Sequence, residues 1–163
     1  MGRCLLLLGI LFLCRGLLLG PVAIAAAAPA PAGSRWIRID LPHLVAQAMV
    51  GDQAIYTAPV TAGTARYPTP VGTFRILRRI YNETMDSATV GIPRWAPGGY
   101  YLRGVLYTQY FTNYGHALHY HYWSPPWAFG HTAGSHGCVG LRLQDAAFFW
   151  TFATVGTPVV IRY

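Results

Sequence analysis

The sequence predicts a mainly β domain, a sandwich or barrel with one helix packed on it near the C-terminus. Three observations lead to this fold class. Short runs in which apolar and polar residues alternate recur along the chain, 18 glycines and 12 prolines punctuate them, and a single late segment has its apolar residues at helical spacing. One helix among seven or eight strands is typical of an architecture in which sheets supply most of the core.

The strands follow from the alternation, and the connections between them follow from glycine and proline. The predicted strands cover residues 36–41, 44–50, 53–62, 72–80, 100–107, 116–122 and 157–161. Gly51-Asp52 forms the turn of an opening hairpin. Residues 63–70 are rich in glycine, threonine and proline and are predicted to be a loop, and residues 82–99 are predicted to be a long loop or lid.

The one predicted helix covers residues 143–155. Its apolar residues recur three to four positions apart, and Asp145 in its first turn interacts favourably with the helix dipole. Gly156 is the expected stop.

The start of the chain has the composition of a signal peptide. Arg3 is followed by an apolar stretch that Arg15 interrupts and by an alanine-rich segment. Neither apolar part reaches the roughly 18 residues that a spanning helix needs. We therefore expect a signal peptide at residues 1–28, a linker at 29–34 and one folded domain at 35–163, although an uncleaved anchor is an open alternative. The mature protein is expected in the cell envelope, in the periplasm or the extracellular wall, without stable membrane insertion.

The charge of the chain is strongly basic. Its formal net charge is +7, and all twelve basic residues are arginine; without Arg3 and Arg15 the net charge is about +5. The arginines are scattered rather than clustered, so the sequence does not indicate a nucleic-acid partner. Outside the cell such a surface favours wall polymers, peptide carboxylates or acidic lipids.

Cys138 is the most informative residue of the chain. Cys4 and Cys14 lie in the predicted leader, so the mature protein would carry one thiol, which cannot form an internal disulfide. Histidines stand before it at positions 116, 119, 121, 131 and 136. Such a neighbourhood suits a thiolate nucleophile with a nearby base, and a small buried apolar residue is the alternative.

The spacing of these residues restricts the directions of their side chains, but it does not identify which histidine is the base. His119 and His121 stand two apart on a predicted strand and so point to one face, and His136 and Cys138 have the same spacing. Gly137 lets the backbone turn sharply and bring its amide close to a substrate. The alternative is a zinc site, whose four ligands would be His119, His121, His136 and Cys138.

Several motifs, taken in order, resemble one known family. Ala117-Leu118-His119, fifteen intervening residues and then Ser135-His136-Gly137-Cys138-Val139 resemble the signature of the L,D-transpeptidase (YkuD-type) catalytic domain. Thr69-Pro70-Val71-Gly72 and Gly156-Thr157-Pro158 agree with weaker elements of the same family. The resemblance covers residues 35–163. A sortase or a papain-like wall endopeptidase fits the sequence around the cysteine, or the order of histidine and cysteine, less well.

The resemblance implies roles for individual residues. Cys138 matches the nucleophile, His119 the base, Ser135 a residue that orients the site, and His136 the second histidine of the motif; backbone amides at Gly137 and Cys138 would hold the oxyanion. Tyr120, Trp123 and Arg142 are candidate substrate-binding residues. His121 has no counterpart in the signature. Gly140 departs from it, because the family usually has asparagine or arginine two residues after the cysteine.

The resemblance also implies a reaction. A thioester on Cys138 would pass the acyl group of one peptidoglycan stem peptide to the side-chain amine of another, which makes a 3-3 cross-link, and no cofactor is expected. Acylation by carbapenems is a further expectation. An L,D-carboxypeptidase of the same fold and a non-catalytic wall-binding module are the alternatives.

Overall fold

The computed structural model describes residues 33–163, and this part of the chain is mainly β, as the sequence predicts. The elements are β1 (Arg35–Asp40), β2 (Val45–Val50), β3 (Gln53–Pro59), β4 (Ala62–Gly63), β5 (Gly72–Arg75), β6 (Arg78–Asp86), β7 (Tyr101–Tyr110), β8 (Ala117–Tyr120), β9 (Ala133–Ser135), β10 (Val139–Leu141), α1 (Leu143–Phe152) and β11 (Pro158–Arg162). One sheet has the order β3-β2-β1-β11-β5, a second has the order β10-β8-β7-β6, and β4 pairs with β9.

The first sheet is built around the opening hairpin and the last strand. Alternation along β1 leaves Ile37 and Ile39 completely buried. β11 pairs parallel to β1, with Val159 opposite Ile37. The beginning and the end of the domain therefore meet at the centre of one sheet.

The helix α1 joins the core that the two sheets share. Phe149 is completely buried in a cluster that includes residues from both sheets. Tyr56 on β3 stacks on Phe148 at a ring-centroid distance of 3.8 Å and donates a hydrogen bond of 2.6 Å to the buried carboxylate of Asp145. Apolar packing and one buried polar contact thus fix the helix against the first sheet.

The second sheet positions the histidines relative to the cysteine. β8 and β10 pair in parallel, and His119 lies opposite Gly140. Thr61, just before β4, exchanges two backbone hydrogen bonds of 2.9 Å with Gly140. Two segments far apart in sequence are thereby held beside the segment that carries Cys138.

Two predicted strands are each divided in the structure. Residues 53–62 form β3 and part of β4, with a break after Pro59. Residues 72–80 change sheets: the Ile76 N–H donates to Thr157 O at 2.9 Å, and the Leu77 N–H donates to Tyr110 O at 2.7 Å. The prediction of one strand was wrong here, because alternation continues through a change of sheet.

The predicted loop at residues 82–99 is also shorter than expected. Its first five residues belong to β6, which pairs with β7 through a register shift between Glu83 and Met85. This bulge breaks the alternation that would have revealed the strand. A single 3₁₀ turn, Ser87–Val90, follows and is capped by the Asp86 carboxylate, which also binds Arg94. An irregular connection remains between that turn and β7.

The helix is confirmed but is shorter than predicted, since it ends at Phe152. Gly156 has φ +91° in the turn that follows, four residues after the helix has ended. β9 and β10 are absent from the sequence-based assignment, because three-residue strands are too short to show a period.

The predicted signal peptide and residues 29–32 of the predicted linker lie outside the described residues. Between residues 33 and 163, no helix has the length and apolar character needed to cross a bilayer.

Phe149→Ala is expected to destabilise the domain by about 3–5 kcal/mol, because it opens a cavity at the centre of the shared core. Urea unfolding followed by circular dichroism measures the change. Val155→Ala is the control, since Val155 is 62% exposed and its truncation should change stability by less than about 0.5 kcal/mol. Equal effects of the two substitutions would contradict the description of the core.

Candidate active site

Cys138 follows a sharp turn between β9 and β10. Gly137 has φ +99°, a conformation that favours glycine, and a Cβ atom there would lie 2.5 Å from Cδ2 of His116. The Ser135 hydroxyl donates a hydrogen bond of 2.6 Å to the Cys138 carbonyl and accepts one of 3.1 Å from the Gly137 N–H. Ser135 and Gly137 therefore hold the turn that presents the thiol.

A cavity of about 230 Å³ lies beside the thiol. Its walls combine residues from β6, β7, β8 and β9, from the segments beside β7 and β8, and from the turn before β10. They are Met85, Tyr100, Leu102, His119, His121, Trp123, Gly134, Ser135, His136 and Cys138. No side chain among them carries a formal charge at neutral pH when the histidines and the thiol are neutral. The cavity thus suits a neutral peptide segment better than a free ion.

His119 is buried at the cavity and is fixed in one tautomer. Its Nδ1 lies 2.9 Å from the Tyr120 carbonyl, which can only accept, so Nδ1 carries the proton and Nε2 the lone pair. Loss of hydration lowers the pKa of His119 to about 4, although the Tyr120 carbonyl acts in the opposite direction. His119 is therefore a neutral imidazole with an acceptor nitrogen, which is the state that a general base requires.

The Cys138 thiol is protonated at neutral pH. Burial raises its pKa to about 11, and a backbone interaction with Ala117 only partly opposes this. The sulfur lies 3.6 Å from the Gly115 carbonyl, to which the S–H can donate. The resting site thus contains a thiol and a neutral imidazole rather than a preformed thiolate–imidazolium pair.

The turn offers one free amide to a developing oxyanion. The Gly137 N–H already donates to Ser135 Oγ, while the Cys138 N–H has no acceptor among residues 33–163. A backbone N–H beside the nucleophile is the kind of donor that stabilises a tetrahedral oxyanion. The structure therefore favours the Cys138 amide over the pair expected from the sequence.

His136 is held between two tyrosines. Tyr67 stacks on its ring at 4.3 Å, and Tyr100 meets it edge-on at 5.2 Å. Burial and, to a lesser extent, Arg66 lower the pKa of His136. A Cβ atom at Gly98 would lie 3.1 Å from His136 Nε2, so the connection after β6 touches this histidine. His136 forms part of the cavity wall and packs between two aromatic rings.

His121 contacts both His119 and the segment around Gly140. Its ring centroid lies 5.4 Å from that of His119, and its Nδ1 lies 3.1 Å from Thr61 Oγ1 and 2.8 Å from Ser124 Oγ. A Cβ atom at Gly140 would lie 2.3 Å from Thr61 Oγ1 and 2.7 Å from His121 Cγ. Gly140 therefore leaves the space that His121 and Thr61 occupy. Burial, followed by His119, lowers the pKa of His121 to about 3.

The three candidate substrate-binding residues lie in different places. Trp123 lines the cavity and contacts His121 at a ring-centroid distance of 4.1 Å. Tyr120 packs against the core, because neighbouring residues of a strand point to opposite faces. Arg142 lies at the start of α1, donates to the Pro126 carbonyl at 3.3 Å and covers the ring of Phe129. Neither Tyr120 nor Arg142 is part of the cavity wall.

The four-ligand zinc arrangement has no counterpart in the structure. Across residues 33–163, no three histidine, cysteine or acidic side chains come close enough together to hold a metal ion.

The partners of His121, Thr61 and Ser124, are not evident from the sequence. Ser124 is a local neighbour, but Thr61 is sixty residues away in sequence. The sequence contains one indication of this arrangement. It departs from the family signature at two positions, the additional His121 and Gly140, and these two residues are in contact in the structure.

We expect alkylation of Cys138 by iodoacetamide to rise about tenfold per pH unit from pH 7 to pH 10, because only the thiolate reacts and burial raises the pKa of this thiol to about 11. Mass spectrometry of the Cys138 peptide separates this signal from those of Cys4 and Cys14. The same thiol in urea-unfolded protein should approach a plateau about two pH units earlier. A plateau beginning near pH 6 in the folded protein would contradict a neutral resting pair.

Acid should destabilise the fold through His119 and His121. Both have a lowered pKa in the folded state, so the unfolded chain takes up more protons as the pH falls below about 6.5. Between pH 7.5 and pH 5 this linkage removes about 2 kcal/mol of stability per histidine. His121→Leu should therefore lose about 2 kcal/mol less than the parent protein over this interval in urea titrations. Identical losses would show that His121 does not titrate in this way.

Comparison with known proteins is consistent with this geometry. The chain is 38% identical over 104 residues to the probable L,D-transpeptidase 3 of Mycobacterium tuberculosis, an alignment that covers 64% of this chain and 38% of that protein. The chain thus spans less than half the length of this relative.

Solved structures show the same fold. An L,D-transpeptidase in complex with imipenem superposes with a TM-score of 0.76 at 28% identity, covering 79% of this chain and 59% of that one. L,D-transpeptidase 3 from Mycobacterium tuberculosis, in complex with a faropenem-derived adduct, superposes with a TM-score of 0.73 at 27% identity, covering 80% and 60% of the two chains. The family model of the L,D-transpeptidase catalytic domain (YkuD) matches residues 34–161. With this match across the whole described domain, the chain belongs to the YkuD family of L,D-transpeptidase catalytic domains.

Proposed function

We propose that this protein is an exported L,D-transpeptidase that forms 3-3 cross-links in peptidoglycan through a thioester on Cys138. The observation that carries the proposal is a cavity lined both by the Cys138 thiol and by a neutral histidine whose Nδ1 is already engaged. Membership of the YkuD family supports the same reaction.

The first half of the reaction cleaves the donor stem. His119 Nε2 accepts the thiol proton as the Cys138 sulfur attacks the carbonyl between the L-centre of the third residue and the following D-alanine. The Cys138 N–H stabilises the oxyanion. His119 then returns the proton to the leaving amine, so D-alanine departs and the acyl group remains on the sulfur.

The second half transfers the acyl group. The side-chain amine of the third residue of another stem attacks the thioester, and His119 Nε2 accepts the proton that the amine loses. Collapse of the tetrahedral intermediate forms the new amide bond, and the proton returns to the sulfur as the thiol is released. Attack by water in place of the amine would give the carboxypeptidase reaction.

The other residues near the thiol have supporting roles in this proposal. Ser135 and Gly137 hold the turn, His136 forms part of the wall, and Trp123 offers an aromatic surface to the stem peptide. Arg142 contacts a carbonyl and an aromatic ring, and Tyr120 packs against the core, so neither is assigned a substrate contact.

Export and inhibition complete the proposal. Residues 1–28 would act as a signal peptide, residues 29–34 as a linker, and the mature domain would work in the cell envelope. Relatives have been solved with imipenem and with a faropenem-derived adduct, so we expect carbapenems to acylate Cys138.

The test is to incubate the mature protein with a disaccharide-tetrapeptide and to follow the products by mass spectrometry. We expect loss of D-alanine and appearance of a cross-linked dimer. Cys138→Ala should abolish both products, and His119→Ala should slow them by about 10²–10⁴-fold, as expected for loss of a general base. His43→Ala is a matched control, since His43 lies on an exposed turn beside Asp40.

Two results would change the assignment. Monomeric tripeptide without dimer would identify a carboxypeptidase. No turnover by folded protein that still binds peptidoglycan would favour a wall-binding module.

A further inference from the structure

His121 is a buried histidine at the cavity to which the proposed reaction gives no role. It is 2% exposed, and its backbone is fixed by a hydrogen bond of 2.9 Å from its N–H to the Leu141 carbonyl. Its ring lines the same cavity as His119 and Cys138. Whether such a buried histidine donates a hydrogen bond to a ligand or accepts one depends on which ring nitrogen carries the proton.

The hydroxyl partners of His121 determine its tautomer. Thr61 is 1% exposed, and among residues 33–163 its Oγ1 has no hydrogen-bond partner other than His121 Nδ1. A buried hydroxyl proton without an acceptor is costly, so Thr61 donates to Nδ1. Ser124 Oγ, at 2.8 Å from the same nitrogen, can donate as well. The proton of the neutral ring therefore lies on Nε2.

The two neighbouring histidines thus present opposite groups. His119 has its proton on Nδ1 and a lone pair on Nε2, whereas His121 has a lone pair on Nδ1 and a proton on Nε2. Nε2 of His121 has no partner within the described residues, and it is the polar atom of this ring that remains for a ligand. One histidine can accept a proton, and its neighbour can donate a hydrogen bond.

Gly140 and Thr61 together hold the His121 ring in position. Gly140 has no side chain, and any Cβ atom would collide with Thr61 Oγ1 and the His121 ring. Thr61 in turn is fixed to Gly140 by two backbone hydrogen bonds. The donor, the hydroxyl that sets its tautomer and the glycine that makes room for both form one unit.

We propose that His121 is a specificity-determining residue whose Nε2–H donates a hydrogen bond to an amide carbonyl of the acyl-donor peptide in the cavity. A neutral carbonyl is favoured over a carboxylate because no cationic side chain lines the cavity. The inference rests on the proposed function, since it assigns part of the substrate recognition at the same site.

The experiment compares His121→Leu, His121→Gln and Thr61→Val in the mature protein. The probe is D-alanine release from the disaccharide-tetrapeptide, measured as kcat and KM. His121→Leu should raise KM about tenfold with kcat changed less than about threefold, as expected for loss of one neutral hydrogen bond that binds substrate. His121→Gln, whose amide N–H can replace the donor, should return KM to within about threefold of the parent value. Thr61→Val should give an intermediate KM.

Alkylation of Cys138 by iodoacetamide is the control for the integrity of the site, and it should stay within about twofold in all three variants. His43→Leu is the matched histidine control and should leave kcat and KM unchanged. An unchanged KM in His121→Leu, or failure of His121→Gln to restore it, would overturn the inference. An equal fall in kcat and in the alkylation rate of Cys138 would also overturn the inference. It would indicate that His121 supports the structure of the site or acts as a general base.

The two proposals fail differently. Absence of turnover by the parent protein overturns the proposed function and this inference together. Normal turnover by the parent with an unaffected His121→Leu variant overturns this inference alone.

Discussion

The parallel pairing of β8 with β10 is the constraint on which the candidate site depends. It places His119 opposite Gly140, two residues beyond Cys138, so the histidine on β8 and the thiol just before β10 line the same cavity. Thr61 closes the arrangement through two backbone hydrogen bonds to Gly140. Backbone hydrogen bonds are directional, so this register sets which side chains meet in the cavity far more strictly than apolar packing could.

Burial then decides the chemistry of the groups that the register brings together. Loss of hydration disfavours every charged form, which raises the pKa of Cys138 and lowers that of His119. A thiol protonated at rest is protected from adventitious alkylation and oxidation. In the proposed reaction, proton transfer to His119 accompanies attack on a bound carbonyl, and the Cys138 amide stabilises the charge that develops.

The sequence was sufficient for the fold class, the late helix and the group of residues around Cys138, because alternation, helical spacing and the Ser135-His136-Gly137-Cys138 motif are local patterns. It failed where the deciding contacts are non-local. The change of sheet at Ile76 leaves the alternation intact. The bulge after Glu83 interrupts the alternation, so the last residues of β6 do not show a strand pattern. Tyr120 is next to His119 in sequence, yet adjacent strand residues face opposite sides, so it packs on the core and does not line the cavity. Gly140 leaves space for Thr61 and His121. The sequence does not show this role, because no spacing pattern places Thr61 next to Gly140.

His119 and His121 are neutral neighbours with opposite tautomers, one a proton acceptor and the other a hydrogen-bond donor. Nitrogen-15 NMR of histidine-labelled protein at pH 7, with assignments from His119→Gln and His121→Gln, measures this directly. We expect His119 to be protonated on Nδ1 alone and His121 on Nε2 alone, and both to remain so at pH 5.5. The same tautomer in both rings, or an imidazolium in either, would contradict it.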